Sequence, residues 1–563
     1  MGAANKNSKF QQFCTGNTCS FTLVVIIAAV IALSCVIIFT DKDLREKRQY
    51  DPSDLEWWKK TIVYQIYPRS FKDSGSDGIG DIKGITSKLD YLVYLGVGAI
   101  WISPFYKSPM RDFGYDVANY TEIDPMFGSM VDFDELMNET KKRDIKVILD
   151  FVPNHTSNES KWFIESRKMN PEYKDYYVWA DGKRKGKTYE PPNNWNALKF
   201  WLDKGVAGFR VDAFKMAFEV KNISLDEDLP KLKQGEKSVF TDEQNHSYTT
   251  NLPEIYGVIS DWRKMFEKYK EKDGVSRFMT TESYGLSSQM VNKYYEAGSL
   301  PFNFDLIMKV NKSCDGLCFK TIVEGALESL PSDAWPNFVM GNHDRPRVAD
   351  RMGTDMIDVM NMLLLTLPGT PTCYYGDELG MKDVYYTFDE TQDPYGRNYG
   401  PDGYTRFSRD PERSPMLWDT TSKAGFTTGT PWLHVNPMHS RINVKVERHT
   451  NRNTHLKVYK KVSEIRKLPS FQNPDIQFAY TDDNFLSYIR TAEGRPKYLV
   501  ILNVDTASKI GSTADFSKEP VSSTRGEVVA MTGTVDLAFG SVIDLTTQIK
   551  LQRGQGLVVK VHH

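Results

Sequence analysis

Cysteine is scarce in this chain: there are six in 563 residues and none between Thr40 and Ser313, which excludes a disulfide scaffold as its source of stability. A basic excess is missing too. With 71 Lys and Arg against 73 Asp and Glu, for a formal net charge of −2, no positive field is available to condense on phosphates, and no nucleic-acid partner is expected. Beyond an alternation of strand-like and helical stretches there is no internal repeat, and no low-complexity tract interrupts the chain. What remains is 40% hydrophobic and 26% charged, the balance of a large globular protein with two or more domains and ample core. An aromatic share of 12% suits a cleft that stacks on rings and equally suits a large core; composition alone favours the core.

Cys14 and Cys19 lie just before a long apolar run, as plain thiols or as palmitoylation sites. Cys314 and Cys318 have the spacing to close a small loop, leaving Cys373 buried and free; zinc would need a second ligand pair. The apolar run, Phe21 to Thr40, is 20 residues without a charge, about the length that crosses a bilayer as a helix. It reads as a signal-anchor, with cleavage near Ala32-Leu33-Ser34-Cys35 as the alternative. Flanking charge does not settle orientation: Lys6 and Lys9 precede the run, while Lys42, Arg45, Lys47 and Arg48 follow it, offset by Asp41, Asp43 and Glu46. Asn-X-Ser/Thr triplets at Asn119, Asn138, Asn158, Asn222, Asn245 and Asn311 favour a glycosylated ectodomain. The expected arrangement is a single-pass type II membrane protein, extracellular or luminal beyond the span, with a cytosolic tail over 1–20, the span over 21–40 and a charged stalk over 41–56.

After the stalk, strand-like runs alternate with helical stretches: Ile62–Gln65, Ala99–Ser103, Val147–Phe151, Gly208–Asp212, Phe278–Thr281, Phe302–Asp305, Asn337–Met340 and Thr372–Tyr375. Gly84–Leu95, Asp132–Lys142 and Asp355–Leu365 have helical apolar spacing. Eight alternating units predict an α/β fold, a (β/α)8 barrel of parallel strands. From about Leu468 the texture becomes β-rich alternation with turns, as in Lys497–Asn503 and Gln555–Val561, which predicts a separate C-terminal antiparallel β-sandwich over 468–563.

Four of the candidate strands end in carboxylates or histidine: Val147 to His155, Gly208-Phe209-Arg210-Val211-Asp212, Met279-Thr280-Thr281-Glu282, and Phe338 to Asp344 through Asn342-His343. Apolar runs of this length read as buried parallel strands whose polar ends converge at one rim, where barrel enzymes do chemistry. Two carboxylates facing one sugar, with histidines and an arginine around them, meet the needs of glycosidic bond cleavage. Taken singly, an Asp at a strand end is more often a loop or helix cap, and a His in an apolar run is usually satisfied by hydrogen bonds. The ordered set is what carries the reading.

At these segments, and at Ile66-Tyr67-Pro68-Arg69-Ser70-Phe71, Asp112-Phe113-Gly114-Tyr115-Asp116, Glu190-Pro191-Pro192-Asn193-Asn194-Trp195 and Arg413-Ser414-Pro415-Met416, the chain resembles the α-amylase superfamily. Within it, the likeness is to α-glucosidases acting on oligosaccharides and sucrose, especially insect-type maltases, and it runs from about Trp57 to the C-terminus. The resemblance implies Asp212 as nucleophile in a retaining double displacement, Glu282 as general acid and then base, and Asp344 as the carboxylate that grips sugar hydroxyls, aided by His155 and His343. Arg210 would hold the Asp212 carboxylate ionised from the same strand face. Asp112 and Tyr115, joined by Arg413, would bind the non-reducing glucose. Ala213 is the small residue that goes with α-1,4 preference in relatives. The loop Asp73 to Asp81 is similar to a structural calcium loop, with Asp73, Asp77, Ile79 and Asp81 as ligands and Gly75 where relatives commonly place Asn. No organic cofactor is implied.

The pattern breaks at the domain that relatives insert after the third strand. Only 62 positions separate Asp150 from Asp212, and Glu190–Trp195 runs directly into Asn196–Leu202, which in relatives is the late part of the third helix. The inserted domain is thus reduced to a remnant over 156–197, between barrel parts 57–155 and 198–467. A shortened third helix is expected to expose apolar surface or open the sheet, and a missing pocket wall to weaken water exclusion. Noncatalytic heavy chains of amino-acid transporters share this ectodomain type, so the alternative is a subunit whose partner would be a transporter light chain, or a surface receptor. The three carboxylates and the cysteine-free stretch after the span speak for the enzyme.

Overall fold

The computed structural model describes residues 55–177, 195–220, 247–506, 511–518 and 520–562. Expectations that fall on 1–54, on 178–194 and on Asn222 and Asn245 lie outside the described residues. No helix among the described residues is long and apolar enough to cross a membrane, and the run Phe21–Thr40 is not among them.

Strands β1 (Val63–Ile66), β2 (Ala99–Ile102), β5 (Lys146–Phe151), β6 (Gly208–Val211), β7 (Phe278–Thr281), β8 (Asn337–Val339) and β9 (Thr370–Tyr374) form one parallel sheet in the order β7-β6-β5-β2-β1-β9-β8. A short antiparallel pair, β3 (Tyr106–Lys107) and β4 (Asn119–Ile123), stands beside it. β1, β2, β6, β7, β8 and β9 are buried at every position, the pattern of strands covered on both faces.

The eighth predicted strand is a correction. Phe302–Asp305 makes a single parallel bridge, Asn303 to Phe338, and a helix begins at Asp305. The segment still joins the two sheet edges: Leu300 and Phe302 N–H donate to the Met279 and Thr281 carbonyls at 2.8 and 3.1 Å, and Asn303 N–H donates to the Asn337 carbonyl at 2.7 Å. The Asn337 amide replaces a missing ladder bond by donating to the Leu300 carbonyl at 3.1 Å.

Helices cover the outer face of the sheet. Met130–Lys142 starts in a capping box, Ser129 with Asp132, and buries Phe133, Leu136 and Thr140 at helical spacing. The third helix, Trp195–Asp203, has nine residues, yet the expectation that its shortness opens the sheet is not met: β5 and β6 pair from Ile148–Gly208 to Phe151–Val211. Four buried side chains, Ala197, Leu198, Trp201 and Leu202, hold it down. Trp201 packs edge-on against Phe133 and Phe105, and its indole N–H donates to the Tyr120 carbonyl at 2.6 Å.

Strands β10 (Gln477–Phe478), β11 (Phe485–Arg490), β12 (Tyr498–Asn503), β14 (Arg525–Met531), β15 (Val542–Asp544) and β17 (Gly556–Val561) form the C-terminal sheet in the order β10-β11-β12-β17-β14-β15, with β13 (Ser512–Ala514) and β16 (Ile549–Leu551) paired in a second small layer. β11 and β12 are buried throughout because their alternate residues feed two cores. Leu486, Tyr488, Val500 and Leu502 join the barrel core, while Phe485, Ile489, Leu499 and Ile501 join the core beneath β13 and β16. The sandwich thus packs on the barrel through one face of β11 and β12 and keeps a core of its own on the other. The Cys314–Cys318 disulfide forms, and Cys373 is buried and free.

Candidate active site

Parallel pairing aligns the first polar group of the site. Asp150 on β5 and Arg210 on β6 are register partners, so both side chains point into the sheet's concave face. Arg210, about 2% exposed, donates to the Asp150 carboxylate at 2.9 Å, to the Asp212 carboxylate, and lies 3.3 Å from Glu282 Oε2. One guanidinium thus ties together the carboxylates that end β6 and β7. The same Glu282 oxygen accepts the Ala213 N–H at 3.0 Å, which leaves Oε1 to carry a proton. Ala213 reaches that position in a left-handed conformation, φ 46° and ψ 16°.

Beyond β8, Asp344 receives Arg413 at 2.9 Å and lies 3.6 Å from Arg409. Arg409 also donates to Asp112 at 2.8 Å and to Asp393. His343 lies flat between Tyr115, at a centroid distance of 5.3 Å, and Tyr67. A hydrogen-bonded line links Gln65 to His343 Nδ1 at 2.7 Å, His343 Nε2 to the Tyr115 hydroxyl at 2.7 Å, and that hydroxyl to Asp150 at 3.1 Å. With the Gln65 amide donating, His343 carries its proton on Nε2.

Burial governs the charges. It pushes Glu282 up to about 7, assisted by the negative Asp212 and Asp344 and opposed by Arg210. Asp150 and Asp212 are raised by burial as well, against Arg210; Arg210 thus limits the rise of Asp212 without abolishing it. Asp344 feels the same burial, but its neighbours His343, Arg413 and Arg409 hold it well below the carboxylate range. Burial lowers His343 to about 3, so it is neutral at physiological pH and the two arginines carry the effect on Asp344. The result is a Glu282 that keeps its proton up to about pH 7 beside the carboxylates of Asp212 and Asp344.

The structure brings Asp212, Glu282, Asp344, Asp112, Tyr115, Arg210, His343 and Arg413 together. His155 sits beside them: its pKa is lowered by burial, opposed by the nearby Asp112 charge and by a hydrogen bond to the Tyr115 backbone, and its ring also meets the Asn154 amide at 3.1 Å. In the expected calcium loop each carboxylate is already engaged. Asp73 accepts the N–H groups of Gly75, Ser76 and Gly78 and the Thr427 hydroxyl; Asp81 caps the helix at Ile82 and accepts Ser74; Asp77 accepts the Ile79 N–H. Among the described residues no three His, Cys, Asp or Glu side chains gather around one point; a bound calcium would draw on Asp73, Asp77, Asp81 and the Ile79 carbonyl. Sequence reasoning missed Asp150, Gln65, Arg409 and Asp393. Asp150 was legible as the carboxylate inside an otherwise apolar strand.

This chain belongs to the alpha-amylase family: the alpha-amylase catalytic domain matches residues 65–198 and 196–473. The two matches meet at 196–198, where the third-helix flank joins Glu190–Trp195. Among its relatives, Maltase 1 of Drosophila virilis is 38% identical over 544 residues, covering 87% of this chain and 85% of the maltase. Those aligned positions exceed the share of this chain they occupy, so the maltase carries residues that this chain lacks. An amino acid transporter heavy chain of Rattus norvegicus is 33% identical, covering 90% of this chain and 79% of that protein. The crystal structure of isomaltulose synthase from a Klebsiella species superposes with a TM-score of 0.75 at 30% identity, covering 90% of this chain and 100% of that one.

Proposed function

We propose that this protein is a retaining α-glucosidase that releases glucose from the non-reducing end of maltose-like oligosaccharides or sucrose. Glu282 Oε1–H protonates the glycosidic oxygen as Asp212 attacks the anomeric carbon, so the C–O bond to the leaving sugar breaks and a glycosyl ester forms. Glu282, now ionised, takes a proton from water, and the hydroxide oxygen displaces Asp212 with net retention. Asp112, Asp150, Asp212, Asp344 and Asp393 outweigh Arg210, Arg409 and Arg413, which favours positive charge on the sugar ring in both transition states. Asp112, Arg409 and Arg413 meet the hydroxyls of the terminal glucose, and Tyr115, backed by the His343 ring, stacks beneath it. The observation that carries the reading is the shared contact of Asp212 and Glu282 with one buried guanidinium, on the adjacent strand ends of a family whose maltase relative covers most of the chain.

Phe21–Thr40 is proposed to anchor the chain with the barrel on the extracellular or luminal side. Asn138, Asn158 and Asn311 are exposed and accessible to glycosylation; a mass loss on glycosidase treatment of the expressed protein would support this side. A second reading, a heavy-chain subunit without activity, is favoured by the 33% identity to the rat transporter heavy chain. The test is glucose release from maltose and sucrose by the purified full chain, with Asp212→Asn and Glu282→Gln as controls. Activity lost in both controls supports the enzyme; a folded chain that releases no glucose moves the assignment to the subunit.

A further inference from the structure

The turn that presents Asp112 and Tyr115 contains an aromatic residue where glycine or asparagine belongs. The Tyr115 N–H donates to the Asp112 carbonyl at 3.1 Å across Phe113 and Gly114, whose φ values are 49° and 107°. Two positive φ values are the mark of a type I′ turn, in which a bulky first central residue is strained. The Asp116 carboxylate steadies the turn by accepting the N–H groups of Arg111 and Asp112 at 2.9 and 3.1 Å, but these bonds do not require a ring at position 113.

The ring of Phe113 lies against a buried cation. Arg69, about 6% exposed, places its guanidinium 4.9 Å from the centre of Phe113, 5.2 Å from Trp432 and 5.9 Å from Phe127. Phe113 and Trp432 meet edge to face at 5.3 Å, and Trp432 touches Tyr67, the ring stacked on His343. Arg69 donates to the Met126 sulfur at 3.0 Å, while its Nε is buried without a partner. A guanidinium buried mainly among ring faces is held by cation–π attraction, which favours a planar cation over an ammonium.

Resting on the α-glucosidase reading, we infer that Arg69 is a positioning residue for the terminal-glucose pocket: through Phe113 and Trp432 it holds the left-handed turn that aims Asp112 and Tyr115 at the sugar. The strain at Phe113 is offset by its stacking on Arg69 and Trp432, and the turn that results fixes two sugar contacts. Arg69 touches neither Asp212 nor Glu282, so its loss acts on binding before chemistry.

The test measures KM and kcat on p-nitrophenyl α-glucoside for wild type, Arg69→Lys, Arg69→Met and Phe113→Gly, with thermal unfolding of each. Arg69→Lys and Arg69→Met are expected to raise KM about tenfold, with kcat changed less than about threefold. Phe113→Gly relieves the backbone strain, so it is expected to raise KM by a similar factor while leaving the melting temperature unchanged or higher. A merely structural role would lower stability and activity together in all three variants, and that result would overturn the assignment. So would an unchanged KM in Phe113→Gly. Wild type without activity, by contrast, would count against the α-glucosidase reading itself.

Discussion

Glu282→Gln is expected to abolish glucose release and, at the same time, to stabilise the protein above neutral pH. In the fold, burial with Asp212 and Asp344 raises the Glu282 carboxyl from 4.5 to about 7. Between these values the folded chain holds a proton that the unfolded chain has released, so folding stability falls as pH rises through that window. The loss is complete above pH 7 and absent below pH 4.5. A difference of that size corresponds to about 3 kcal/mol, or roughly 3 °C in melting temperature for a cooperative unit of this length. Glutamine keeps an acceptor for the Ala213 N–H but does not titrate, so the stability of Glu282→Gln relative to wild type should climb by about that amount from pH 4.5 to pH 8. Urea unfolding at pH 4.5, 6 and 8 measures it, with glucose release assayed on the same samples. A stability difference that stays flat with pH, or shrinks as pH rises, would refute the argument that this carboxyl is held protonated.

Other substitutions probe the neighbouring charges. Arg210→Met leaves Asp150, Asp212 and Glu282 buried without their counter-charge and is expected to cost about 3–5 kcal/mol in denaturant unfolding, with no activity, because Asp212 then keeps its proton at neutral pH. Asp344→Asn leaves Arg409 and Arg413 facing a neutral amide; kcat/KM should fall on the order of 10²–10³-fold in a maltose assay. At Ala213 the left-handed backbone makes Gly neutral or mildly stabilising, whereas Val should cost about 1–2 kcal/mol and disturb the N–H that holds Glu282, both read from thermal melts and initial rates.

Much of this architecture is written in local pattern. Seven of the strands follow from apolar runs ending in polar residues, and the rim of carboxylates follows from their parallel order. The eighth run, Phe302–Asp305, reads as a strand by composition, but a helix starts at Asp305 and the Asn337 side chain supplies a bond that a ladder would have made. The site's second layer was hidden for a different reason. Arg409 meets Asp112 across 297 positions of sequence, and no periodicity announces a contact between two loops. Thr427 completes the Asp73 hydrogen bonds from 354 positions away, so a loop that resembles a cation site closes on hydrogen-bond donors outside its own motif. The docking of the short third helix rests on Trp201, whose partners Phe105, Phe133 and Tyr120 come from three other segments.

The central claim is that Asp212 becomes covalently bonded to the sugar. Incubating the purified full chain with a fluorinated glucosyl fluoride, which slows hydrolysis of the glycosyl-enzyme, and locating the adduct by peptide mass spectrometry tests it most directly. A single glycosyl adduct on Asp212, absent in Asp212→Asn, is the predicted result; a folded protein that acquires no adduct, or acquires it on another residue, would contradict the account.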